Sequence, residues 1–202
     1  GVAASKVLAD KGQFPQAAAI LDRIVKAPDT AENIRVQAGV MLAHSLAALG
    51  QIDAALAELD RLAANPASSR QADIARIQIL IGDQRAQDAE AVLDRLAQQC
   101  AEKKDAPGLG WIAGVFLQIK RPAKALAACD QLLAIDPNDP RNCQLRAQAL
   151  TASDRLADAA DCYRKAIALQ PHNFELHAAL AGNLSDQCKL EEALAVLRAA
   201  AA

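Results

Sequence analysis

An interval of 34 residues constrains this chain more than any other feature. Residues 122–139 read PAKALAACDQLLAIDPND and residues 156–173 read LADAADCYRKAIALQPHN, so that Pro137 and Pro171 stand 34 residues apart, as do Ala125 and Ala159. The pattern also begins at Phe14, Ile52, Ala86 and Leu190, placing marker alanines at Ala17, Ala55, Ala89, Ala125, Ala159 and Ala193, at intervals of 38, 34, 36, 34 and 34. A sustained period of this length means one supersecondary motif stacked on copies of itself.

The motif is helical. Upstream of each marker lies a segment with apolar residues at helical spacing, such as Leu176, Leu180 and Leu184, or Leu42, Ala43 and Leu46. Short turns join the halves, visible as Lys11-Gly12-Gln13 and Leu49-Gly50-Gln51, where glycine takes the left-handed conformation that ends a helix. Ala and Leu, strong helix formers, dominate the chain, and only 2% of it is aromatic. Its interior must therefore come from close helix approach rather than from large rings. Pro28, Pro66, Pro137 and Pro171 are expected to terminate second helices. Two places strain the pattern. The interval from Gly82 to Ala89 is about two residues longer than that from Gly50 to Ala55, which predicts an irregular third turn, and residues 105–110 (DAPGLG) interrupt the helical run before the fourth repeat.

These slots resemble the tetratricopeptide repeat. The fifth repeat fills them with Ala147, Leu150, Ala159, Tyr163, Ala166 and Pro171, the sixth with Leu180, Ala181, Leu184, Ala193, Leu197 and Ala200, and the first with Ser5, Leu8, Gly12, Phe14, Ala17, Leu21 and Ile24. The resemblance implies an all-α, right-handed superhelix of about six hairpins, one solenoid domain over 1–202 with repeats near 1–32, 33–68, 69–104, 105–139, 140–173 and 174–202. The chain starts at Gly1 and stops after Arg-Ala-Ala-Ala-Ala without a polar closing helix. Both features are read here as marks of a fragment whose uncapped ends could self-associate.

The resemblance also implies a site. First helices line the concave groove in this family, which puts Val2, Lys6, Gln37, Val40, His44, Gly110, Gly114, Gln118, Arg141, Gln144, Gln148, Glu175 and Gly182 on the binding face. Members that clamp a C-terminal carboxylate use a basic, asparagine-rich set there. Leu145, Gln148, Ala179 and Gly182 adjoin those positions in this chain and argue against that subtype. The implied function is a non-catalytic module that binds a peptide or partner segment. The alternatives are the repeat region of a larger enzyme, such as a bacterial sulfotransferase or glycosyltransferase, and a self-stacking scaffold.

The remaining residues point away from chemistry. His172 and His177 are five apart, not at the i, i+4 spacing that aims two ligands at one metal, and no phosphate-cradling glycine motif is present. No cofactor or metal is expected, and no catalysis. A net charge of −2 with interspersed signs carries no footprint for nucleic acid. No apolar run is long enough to insert in a membrane. The five cysteines have no paired spacing and read as buried thiols of a reducing, cytoplasmic setting. Lys103-Lys104 and Lys120-Arg121 sit near predicted helix ends, and Leu-Asp-Arg, repeated at 21–23, 59–61 and 93–95, is expected to lay a solvated charge ladder on the outer face. Trp111, the single tryptophan, is expected to pack inside.

Overall fold

The computed structural model describes residues 1–200, and every regular element among them is a helix. The helices pair into hairpins: α1 (Val2–Asp10) with α2 (Phe14–Lys26), α3 (Glu32–Ala48) with α4 (Ile52–Ala63), and α5 (Pro66–Gly82) with α6 (Ala86–Glu102). Then come α7 (Ala106–Gln118) with α8 (Pro122–Ile135), α9 (Pro140–Thr151) with α10 (Leu156–Leu169), and α11 (Phe174–Asp186) with α12 (Leu190–Ala200). This is the all-α hairpin repeat that the period predicts. The chain divides into two compact units, the first ending at Val92 and the second beginning at Leu93. Within the first, α1 touches α3 and α3 touches α5; within the second, α7 touches α9. First helices thus lie side by side, with second helices packed against them, as in an α-solenoid.

A single backbone device closes all six hairpins. Gly12, Gly50, Gln84, Lys120, Asp154 and Cys188 adopt positive φ of 57–75°, and each stands five residues before a marker alanine. The residue after each donates its amide to a carbonyl five positions back, on Leu8, Leu46, Leu80, Phe116, Leu150 and Leu184, at 2.8–2.9 Å. This Schellman geometry satisfies carbonyls that a helix end would otherwise leave bare. It also corrects the sequence reading of the third turn: Gln84, not Gly82, takes the left-handed position. The turn is regular, and Gly82 is simply the last residue of α5.

Two further expectations change. Pro66 does not end a second helix but opens α5 as its first residue, with Asn65 accepting the Ala67 amide at 3.0 Å. Residues 105–110 do not interrupt a helix; they start one. Asp105 caps α7 by accepting the Gly108 amide at 3.0 Å, and Pro107 occupies the first turn, where a missing amide proton costs nothing. Asp139 and Asn173 cap α9 and α11 in the same way. The first helices α5, α7, α9 and α11 are therefore fixed at both ends, by an Asx cap and a left-handed turn, whereas α1 and α3 begin without a side-chain cap.

Burial follows the markers. Ala17, Ala55, Ala89, Ala125 and Ala159 are 0% exposed and Ala193 is 5% exposed. Four residues on, Leu21, Leu59, Leu93, Cys129 and Tyr163 are buried as well. The methyl groups permit the close crossing, and the larger neighbours fill the space beside it. Three of the cysteines, Cys100, Cys129 and Cys143, are buried as expected, and burial pushes the Cys129 thiol up to about 12. Cys188 departs from the expectation because it occupies the sixth turn and is exposed, while half-buried Cys162 accepts a hydrogen bond from Arg146 Nη1 at 3.3 Å.

The charge ladder is also more structured than the sequence suggests. Asp60 on α4 pairs with Arg76 on α5, and Asp130 on α8 pairs with Arg146 on α9 at 2.9 Å. Both bridge a second helix to the next hairpin across the same interval of 16 residues. Asp94 pairs with Lys124. Each contributes at most about 1 kcal/mol at this exposure, so the ladder aligns hairpins more than it holds them. Ala159→Leu should overpack the α9–α10 crossing and cost about 1–3 kcal/mol in denaturant unfolding, whereas Ala157→Leu on the exposed face should stay within about 0.5 kcal/mol. Equal costs would mean that the marker alanines do not sit at the crossing.

Candidate functional site: the face of the first helices

Counting back from each left-handed turn residue defines one face on every first helix. Positions thirteen, ten and six before it are Gln37, Val40 and His44 on α3, Arg141, Gln144 and Gln148 on α9, and Glu175, Ala178 and Gly182 on α11. On α7 the ten and six positions are Gly110 and Gly114, with Gln118 one turn further. The residues named from sequence therefore share one register. The first unit holds Val2, Lys6, Gln37, Val40 and His44; the second holds the rest. Sequence reasoning missed α5, where the same count gives Gln71, Ile74 and Gln78. The signal was present in the interval to Ala89 but was masked by taking Gly82 for the turn.

This face is open. His44, Gln118, Arg141, Gln148, Glu175 and Gly182 are exposed, and Val40, Gly110, Gly114 and Gln144 are half-buried. A Cβ built on Gly114 or Gly182 would meet nothing within 4 Å, and one on Gly110 would make only an ordinary contact, 3.7 Å from Leu132 Cδ2. None of these glycines serves a close helix approach. Gly39 does: a Cβ there would lie 2.8 Å from Glu58 Oε1 and 2.9 Å from Leu62 Cδ1. Although His44 is exposed, the protein around it partly desolvates the ring and lowers its pKa from the ordinary histidine value.

In the second unit, hydrogen bonds tie the neighbouring first helices together. Asn183 Nδ2 on α11 donates to Thr151 Oγ1 on α9 at 3.4 Å, and Gln187 Nε2 donates to Asn183 Oδ1 at 2.8 Å and to the Leu156 carbonyl at 3.0 Å. At the other end of α9, Arg141 donates to Asp139 through Nε at 3.1 Å and Nη2 at 2.7 Å, and these bonds hold the carboxyl below its usual range. Trp111 does not pack inside. It is 37% exposed, on the wall of a cleft of roughly 370 Å³ between α7, the end of α8 and the start of α9. Among the described residues no His, Cys, Asp and Glu group has the arrangement of a metal site, and no helix is long and apolar enough to cross a membrane.

Two tetratricopeptide repeat family models match, one over residues 40–107 and one over 140–173, together about half of the chain. The chain belongs to the tetratricopeptide repeat family. Solved structures agree on the fold. A tetratricopeptide repeat protein from Parabacteroides merdae has a TM-score of 0.62 at 14% identity, covering 96% of this chain and 75% of its own. MamA from Desulfovibrio magneticus RS-1, residues 41 to the end, has a TM-score of 0.58 at 20% identity, covering 81% and 91%. YrrB, a tetratricopeptide repeat protein with an unusual peptide-binding site, has a TM-score of 0.54 at 15% identity, covering 81% and 83%. No curated protein sequence matches the chain.

The two kinds of glycine should respond oppositely to the same change. Gly114→Ala should raise stability by about 0.5–1 kcal/mol, because alanine is the better helix former and the site is empty. Gly39→Ala should lower it by about 1 kcal/mol, because buried Leu62 must move. Thermal or denaturant unfolding of the pair checks this, and a destabilising Gly114→Ala would show that the α7 face is covered.

Proposed function

We propose that this chain is a non-catalytic interaction module that holds an extended segment of a protein partner along its first-helix face. The observation that carries this reading is the emptiness of that face in the second unit, where Gly114 and Gly182 leave backbone exposed beside the amides of Gln118, Gln144 and Gln148. A glutamine amide offers both a donor and acceptors, the same pair that every peptide group of an extended chain presents. Such a lining recognises backbone and tolerates varied sequence. The glycines allow that backbone to come within a methyl group's breadth of α7 and α11, as a bound strand or loop would require. Two features supply preorganisation: Asx caps and left-handed turns fix α7, α9 and α11 at both ends, and the Thr151–Asn183–Gln187 bonds fix α11 against α9. The fold shared with YrrB, a protein with a peptide-binding site, is consistent with this use.

The test is a selection of peptides from a random displayed library, followed by affinity measurement against variants. Gly114→Phe should weaken the selected peptides at least tenfold while the melting temperature stays within a few degrees. Ala157→Leu, on the outer face of α10, should leave affinity unchanged. Undiminished binding to Gly114→Phe would place the site elsewhere.

A further inference from the structure

We propose that the cleft walled by Trp111 and Asp136 is a subsite for one lysine or arginine side chain of the bound segment. The inference deepens the groove reading and rests on it for the rest of the segment. The cleft opens beside Gly110, on the register that defines the binding face, so a chain lying along α7 passes its mouth. Its volume, roughly 370 Å³, suits one long side chain and is at the low end for a free ligand.

The wall chemistry selects the sign of the charge. Asp136 and Asp139 both line the cleft, against one cation, Arg141. That cation is committed: its Nε and Nη2 are engaged by Asp139 at 2.7–3.1 Å. Asp136 is exposed and accepts the Asn138 backbone amide at 3.2 Å, which leaves most of its lone-pair capacity free. The recess thus carries a net negative charge beside an indole that is 37% exposed. An indole face attracts a cation, most strongly where water is partly excluded. Pro107 and Leu145 supply apolar surface for the methylene stem that both lysine and arginine carry. An acidic side chain would meet Asp136 with like charge, and an aliphatic one would leave it without a partner.

Trp111 is the only tryptophan, so its emission reports on this cleft alone. The probes are the N-acetyl amides of arginine, lysine, leucine and glutamate, titrated into the full chain. The arginine and lysine derivatives should change the emission saturably. Half-saturation for the leucine and glutamate derivatives should lie at least fivefold higher, and Asp136→Asn should weaken the arginine derivative by a similar factor without shifting the melting temperature. Equal response to the leucine derivative, no saturable response to any probe, or an unaffected Asp136→Asn would each overturn the proposal. The groove reading fails separately. If library peptides still bind Gly114→Phe while the arginine derivative still titrates Trp111, the subsite stands and the groove does not; lost peptides with a silent Trp111 mean the reverse.

Discussion

The left-handed residue at the end of each first helix sets the position of everything else in this protein. It reverses the chain in two or three residues and lets the following amide bond back to a carbonyl five positions earlier, always on a leucine or phenylalanine. That bond fixes the rotation of the first helix relative to the second. Once the rotation is fixed, the marker alanine five residues on meets the crossing, and the residues six, ten and thirteen before the turn face outward. Core and outward face are two readings of one register. Four non-glycine residues, Gln84, Lys120, Asp154 and Cys188, accept the unfavourable conformation, a cost of about 1–2 kcal/mol each that the hairpin packing must offset.

This explains what could be read from the sequence. The alanine markers were legible because only a small side chain fits at a helix crossing, so the constraint acts on side-chain identity. Repeat number and helical class followed from them. The turn was legible at Gly12 and Gly50 but not at Gln84, because a left-handed backbone constrains conformation and glycine is only its easiest solution. Reading Gly82 as the turn hid Gln71, Ile74 and Gln78 from the predicted face. Pro66 and Pro107 misled for a related reason: proline is as much at home in the first turn of a helix as after its end, and periodicity alone does not separate the two. Trp111 shows a different limit. Whether a side chain on α7 packs depends on how close the neighbouring elements come, and the structure leaves a cleft between α7, the end of α8 and the start of α9 at Trp111.

Charge and packing divide the molecule's labour. Bridges such as Asp60–Arg76 and Asp130–Arg146 lie between hairpins, where each aligns a second helix with the next first helix. The first-helix face of the second unit instead carries glycine, glutamine and few charges. A surface with few large side chains and few ion pairs of its own has little to rearrange on being covered, which lowers the ordering cost of the binding proposed above.

Amide chemical-shift mapping by NMR, with a library-selected peptide added to the isotope-labelled chain, tests this account most directly. The largest changes should fall on α7, α9 and α11, at Gly110, Gly114, Gln118, Gln144, Gln148 and Gly182. Changes concentrated on the outer faces of α8, α10 and α12, with those six amides unmoved, would contradict it.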